Sequence, residues 1–340
     1  MTAALITGLS GATLTSDERD YYRDVQPAGV ILFRRNVENA ALVKALVDDV
    51  CAAIGRDDVL VLIDQEGGRV QRLRAPAASN LPPAAAYASL YSRDPELARS
   101  SAYSVARLVA EELRGFGINT NCAPVLDVPV PGAHDIIGDR AFGALPHQII
   151  DIAGEVAKGL MAGGVVPVIK HIPGHGRATA DSHLDLPVVS TSYNELSRTD
   201  FVPFKALAHM PAAMTAHVVY SDLDADHPAS TSAKVTRDII RGDIGFDGLL
   251  MSDDLSMKAL MGPMRSRAEA VLRAGSDVAL HCNGDLSEMR AAAEGVSQLA
   301  GPAKARFDRA FAVTRKSEPF DAEEATLRLS SLMHQSAQQA

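Results

Sequence analysis

The sequence predicts an α/β fold, a single-domain (β/α)8 TIM barrel. Eight short, almost continuously apolar runs alternate with longer stretches of helical periodicity, and charged or imidazole side chains stand just after several of the runs. Parallel strands buried on both faces read in this way, and barrels of this kind carry their active sites at the C-terminal strand ends. A doubly wound sheet that binds a dinucleotide needs a phosphate-binding glycine loop after an early strand. The loop after Thr7 reads Gly-Leu-Ser-Gly-Ala-Thr and lacks that fingerprint.

The candidate strands are Ala3–Thr7, Gly29–Phe33, Val59–Ile63, Ile118–Cys122, Val165–Ile169, Ala212–Ala216, Gly248–Ser252 and Asp277–His281. Between the first two, Thr15-Ser16-Asp17-Glu18 has the form of a capping box. Ala40–Ile54 carries apolar residues at helical spacing and ends at Gly55. Pro95–Phe116, His147–Met161, Tyr193–Ala208, Ser232–Arg241 and Lys258–Ala274 fill the later gaps. Two more helical stretches, about Leu286–Leu299 and Ala303–Lys316, follow the last strand. Residues 1–316 are read as the catalytic barrel domain and 317–340 as a polar C-terminal tail, frayed or draped on the surface.

With 340 residues, 47% hydrophobic, the chain can bury a large core. Its net charge of −9 argues against a nucleic-acid or anionic-membrane surface. Cys51, Cys122 and Cys282 are far apart and odd in number, which fits reduced thiols better than a disulfide framework or a zinc knuckle. No signal-peptide pattern and no run of eighteen apolar residues occurs, so a soluble, cytoplasmic protein is expected. There is no Trp, and aromatics make up only 5%. That favours a small substrate held by polar groups over a long polymer laid on aromatic rings.

Four segments carry the candidate chemistry. In Asp64-Gln65-Glu66-Gly67-Gly68-Arg69-Val70-Gln71-Arg72 the glycine pair permits a turn that sends Arg72 back toward Asp64. Together the two could bind vicinal sugar hydroxyls; on this segment alone a surface salt bridge on a turn is the better reading. In Gly138-Asp139-Arg140-Ala141-Phe142-Gly143 the flanking glycines let Arg140 fold over the barrel mouth, the plainer alternative being a solvated pair with Asp139. The third segment runs from Lys170-His171-Ile172-Pro173-Gly174-His175-Gly176 through Asp181-Ser182-His183. His171, His175 and His183 could bind zinc, although Pro173-Gly174 disfavours the helix on which the first spacing would serve a metal. Asp181 could instead fix the tautomer of His183 and favour its protonated form, which suits a proton donor. In Ser252-Asp253-Asp254 neighbouring side chains point apart, so one Asp can enter the mouth while the other caps the following helix.

Taken together and in this order, the four segments resemble the family-3 glycoside hydrolases, specifically the single-domain bacterial β-N-acetylhexosaminidases of the peptidoglycan-recycling type. The resemblance spans about Gly29 to His281 and departs at Ile172, where the family usually has Phe. It implies a retaining glycosidase that releases terminal β-linked N-acetylglucosamine from small muropeptide-type substrates through a covalent glycosyl-enzyme. By that resemblance Asp253 is the nucleophile, His183 the acid/base paired with Asp181, and Asp64, Arg72, Arg140, Lys170 and His171 hold the sugar. Neither metal nor organic cofactor is expected, and the partner is a small sugar substrate rather than nucleic acid or membrane. The competing readings are a family-3 β-glucosidase, a metal-dependent barrel hydrolase and a catalytically silent sugar-binding protein. No role follows from the sequence for His175 beyond structuring the loop, and none for His217.

Overall fold

The computed structural model describes residues 1–182 and 185–337. Eight parallel strands close on themselves in sequence order: β1 (Ala3–Gly8), β2 (Pro27–Leu32), β3 (Leu60–Ile63), β4 (Thr120–Asn121), β5 (Val166–Ile172), β6 (Ala212–Thr215), β7 (Leu249–Asp254) and β8 (Val278–His281). The last seam pairs Leu5 with Ala279 and Thr7 with His281. All eight expected strands are present. β4 is shorter than its apolar run because Ile118 N–H donates back to Leu113 of the preceding helix, while Pro124 has no N–H for the ladder.

The barrel separates two apolar layers. Ile6, Leu60, Leu62, Val166, Val168, Met214, Leu249, Met251 and Leu280 fill the interior. Val30, Leu32, Val61, Ile63, Ile169 and Leu250 face outward against the helices. The residues Leu299, Phe307 and Phe311 join the interior cluster from below. Backbone bonds from Ala4 to Ser297 and from Leu299 to Thr2 tie that segment to the start of β1, closing the N-terminal mouth.

Helix ends follow local chemistry. Thr15 and Glu18 make the expected reciprocal capping box on Ser16–Val25, and Gly55, at φ 69°, ends Ala40–Ile54. Three expected helices take a different form. Tyr193–Ala208 divides into Tyr193–Leu196 and Phe201–Ala206, since Pro203 cannot donate to Thr199. Lys258–Ala274 shortens to Met264–Arg273 behind Gly262-Pro263. The loop before it is fastened by Arg267, which donates to the carbonyls of Leu255 at 2.7 Å and Gly262 at 2.9 Å. The helix expected over Ser232–Arg241 is π-helical, Val235–Asp243.

Where the sequence suggests a polar tail, a helix, Ala322–Ala337, packs on Pro95–Gly115 and buries Ala325, Leu329 and Leu332. Those apolar residues, spaced three and four apart, make the helical stripe that the polar composition conceals. No described helix is long and apolar enough to cross a membrane.

Candidate active site

The inward parity of the strands decides which side chains reach the C-terminal mouth. Leu60 and Leu62, Val166 and Val168, and Leu249 and Met251 all point into the barrel. A two-residue period therefore carries Asp64, Lys170 and Asp253 into the mouth. All three line a cavity of about 350 Å³, together with Phe33, Arg69, Arg72, Ile136, Ile137, Arg140, His171, His175, Ser182, Met214, Asp254 and Cys282. β5 runs on to Ile172, so Lys170 and His171 belong to the strand rather than to the loop after it. The Lys170–His171 and Ile172–Pro173 peptide bonds are cis.

One wall is an ion cluster. Gly67 and Gly68, at φ 116° and 54°, turn a short hairpin, and the Gln65 side chain accepts from the N–H groups of Arg72 and Leu73. That returns Arg72 to Asp64, 2.9 Å away, with its guanidinium 5.1 Å over the Phe33 ring. The other oxygen of Asp64 accepts from Lys170 Nζ at 2.9 Å. Lys170 also pairs with Glu66 at 2.7 Å, and Glu66 takes Arg140 by two bonds of 2.8 Å. Arg140 is therefore not the solvated partner of Asp139 that its own segment favours: its carboxylate partner is Glu66, and Asp139 pairs with Arg69. Arg69 further holds the carbonyls of Ile136 and Ile137.

Burial works against both carboxylates, yet the surrounding cations win. Lys170 and Arg72 hold Asp64 well below the usual range, and Lys170 and Arg140 bring Glu66 down to about 2. Lys170 moves up in return, because Asp64 and Glu66 outweigh its desolvation. Three cations against two carboxylates leave the wall one positive charge in excess, a field that favours an anionic group in the cavity.

A second cluster is centred on Asp127, which is completely buried. Its Oδ1 accepts from the backbone N–H groups of His171 at 3.1 Å and His175 at 2.6 Å, and its Oδ2 meets His171 Nδ1 at 2.7 Å. A carboxylate at Nδ1 fixes the proton there and leaves Nε2 for the cavity side. His175 sits edge-on to His171, 5.7 Å between ring centres. Burial and the neighbouring His171 bring His175 down to about 4, so it is neutral at pH 7, and its Nε2 meets Ser182 Oγ at 3.0 Å. Asp181 is half-buried in the same loop, its carbonyl accepting from Asp185 N–H at 3.0 Å. His183 lies outside the described residues.

At β7 the two acids separate. Asp253 follows the inward parity and its Oδ1 accepts from Asp254 N–H at 2.8 Å. Asp254 does not cap the following helix, whose N-cap is Pro263. Its carboxylate instead accepts from Ser256 N–H at 3.0 Å and from Cys282 N–H, at the end of β8, at 2.9 Å. The loop of 255–262 separates it from the helix.

Glu66 and Phe33 complete the site without having been assigned to it from the sequence; Asp127, which stands after the fourth apolar run among the polar residues of the expected mouth, has no role legible there. For Glu66 a signal was present: residues two apart in an extended segment share a face, and Asp64 and Glu66 meet the same lysine. For Asp127 the partners are the His171 ring and the backbone N–H groups of His171 and His175, on and just after the neighbouring strand β5, more than forty residues away, which no local pattern encodes.

With this geometry in hand, the comparisons with known proteins agree with one another. The sequence model of the glycosyl hydrolase family 3 N terminal domain matches residues 7–315. A β-hexosaminidase of Alkalilimnicola ehrlichii is 40% identical over 283 residues, which are 82% of this chain and 80% of that protein. The crystal structure of native NagZ from Neisseria gonorrhoeae is 31% identical, superposes with a TM-score of 0.84 and covers 99% of this chain and 96% of its own. The same protein in complex with N-trifluoroacetyl-D-glucosamine matches equally well, at 31% identity and a TM-score of 0.84 over 99% and 96% of the two chains.

Proposed function

The chain belongs to glycosyl hydrolase family 3, and on that premise we propose that it releases terminal β-linked N-acetylglucosamine from small muropeptide-type substrates, in the cytoplasm, as a step of cell-wall recycling. It is a β-N-acetylhexosaminidase, like the relatives it matches. The observation that carries the finer reading is the single-sugar-sized cavity that Asp253 lines together with Asp64, Arg72, Arg140, Lys170 and His171. At about 350 Å³ it suits one saccharide unit better than a polymer.

In the proposed mechanism the Asp253 carboxylate attacks the anomeric carbon while His183 protonates the departing oxygen. The excess positive charge of the ion cluster in the same cavity favours the ionised nucleophile. Asp181 orients the His183 imidazole and favours its protonated form. Water, activated by the now neutral His183, then cleaves the glycosyl-enzyme with net retention. Retaining glycosidases commonly use two carboxylates for these roles; here an imidazole takes the second. Asp64 and the cations it meets would hold the ring hydroxyls by charge-assisted hydrogen bonds, with His171 Nε2 as a further partner.

Parallel turnover of an aryl N-acetyl-β-glucosaminide and the corresponding β-glucoside tests the specificity. Turnover of the first alone is expected, and preference for the glucoside would move the chain to another specificity of the family. Release of N-acetylglucosamine from an N-acetylglucosaminyl anhydro-muropeptide tests the recycling role.

A further inference from the structure

Asp254 is a junction beside Asp253. Its N–H donates to Asp253 Oδ1 at 2.8 Å, and its carboxylate accepts from Cys282 N–H at 2.9 Å. Its carbonyl oxygen stands 3.0 Å from Nε2 of His217. The backbone next to Asp253 is therefore gripped from the end of β8 on one side and from the end of β6 on the other.

His217 is fully buried just beyond β6, and its Nδ1 lies 2.7 Å from the hydroxyl of Ser230, which is fully buried as well. A carbonyl oxygen only accepts, so Nε2 must carry a hydrogen. Burial lowers the affinity of the ring for a second proton, although the nearby Asp253 charge opposes this. The neutral ring then has Nδ1 as acceptor, and the Ser230 hydroxyl must donate. One arrangement of protons satisfies every partner: Ser230 O–H to Nδ1, and Nε2–H to the Asp254 carbonyl. Both ring nitrogens are spent on the protein, and His217 does not line the cavity.

We propose that the Ser230–His217 relay is the positioning device of the nucleophile, fixing the Asp254 backbone and thereby the direction in which the Asp253 carboxylate meets the anomeric carbon. The inference rests on the reading of Asp253 as nucleophile and adds to it a positioning residue that touches no substrate atom. Sub-ångström control is the gain, because a misplacement of about 1 Å costs on the order of 100-fold in rate.

Two substitutions separate this role from packing. His217→Gln carries an amide N–H to about the position of Nε2, whereas His217→Asn carries one only to the position of Nδ1, out of reach of Asp254. With a dinitrophenyl N-acetyl-β-glucosaminide, H217N should lose about 10- to 100-fold in kcat at nearly unchanged KM, and H217Q should stay within about threefold of the parent. Equal kcat in the two, fast or slow, overturns the relay, as does H217N outperforming H217Q. Ser230→Ala keeps the imidazole and removes its anchor, so it decides the matter if H217N fails to fold. It should lower kcat by about threefold with KM unchanged, and an unchanged kcat overturns the proposal. Asp253→Ala run alongside keeps the two readings apart. If it retains turnover the nucleophile assignment fails, whereas an inactive Asp253→Ala beside matching H217N and H217Q removes the relay alone.

Discussion

Replacing Glu66 by Gln puts a number on the ion cluster. The Glu66 side chain is 8% exposed and its partners Lys170 and Arg140 are 3% and 10% exposed, so little water is at hand to take over its role. Removing one member of such a buried pair costs about 3 to 5 kcal/mol. Gln turns an N–H₂ toward the cations but keeps the size of the side chain and one acceptor oxygen, and these retained features place the expected loss near the lower end, about 3 kcal/mol. The pH dependence has a definite sign. The folded carboxyl lies at about 2 against an ordinary 4.5, so its stabilisation is complete above pH 4.5 and vanishes as the pH falls through about 2. Urea unfolding of both proteins at a series of pH values measures this. The difference between them should be constant from pH 7 to about 4.5, then shrink by about 1.4 kcal/mol for each pH unit and level off near pH 2, about 3 kcal/mol in all. A difference below about 1 kcal/mol at pH 7, the scale of an exposed ion pair, or one indifferent to pH, would mean that Glu66 is not a buried, ionised partner of the two cations.

Asp254→Ala should destabilise the fold by about 1 to 3 kcal/mol, since it strips buried N–H groups of their acceptor, and thermal unfolding reads this directly. Activity should survive exhaustive EDTA treatment, and early-time NMR should show the β-anomer of the released sugar first; zinc-dependent recovery of lost activity, or the α-anomer, would contradict the scheme. His183→Ala should slow glycosyl-enzyme formation far more with an alkyl or sugar aglycone than with a dinitrophenyl one, because a stable phenolate leaves without a proton. Asp181→Asn should follow the same trend less severely, and His175→Ala should show no such leaving-group dependence.

The barrel was legible because its signal is local: each strand is a short apolar run, and each run is answered by a helical period. Element ends were less so, since they depend on single residues such as Pro203 and Pro263 that cut helices the apolar period alone would continue. In the site, Asp64, Lys170 and Asp253 could be picked out because they stand where inward parity leaves an apolar strand. The Arg72 return was readable from Gly67-Gly68. The pairing of Arg140 with Glu66 was not, since the two are brought together by a loop folding over the mouth, and neither was the clamp on the Asp254 carbonyl. Both depend on contacts between segments far apart in sequence, whose geometry only the closed barrel provides.

The assignment of Asp253 as a covalent nucleophile is tested most directly by trapping. A 5-fluoro N-acetylglucosaminyl fluoride forms a glycosyl-enzyme that turns over slowly, and peptide mass spectrometry after rapid proteolysis locates the added sugar. One sugar per chain is expected, attached at Asp253 and absent from the Asp253→Ala protein. A sugar on Asp254 or any other residue, or hydrolysis of the reagent with no covalent adduct, would contradict that assignment.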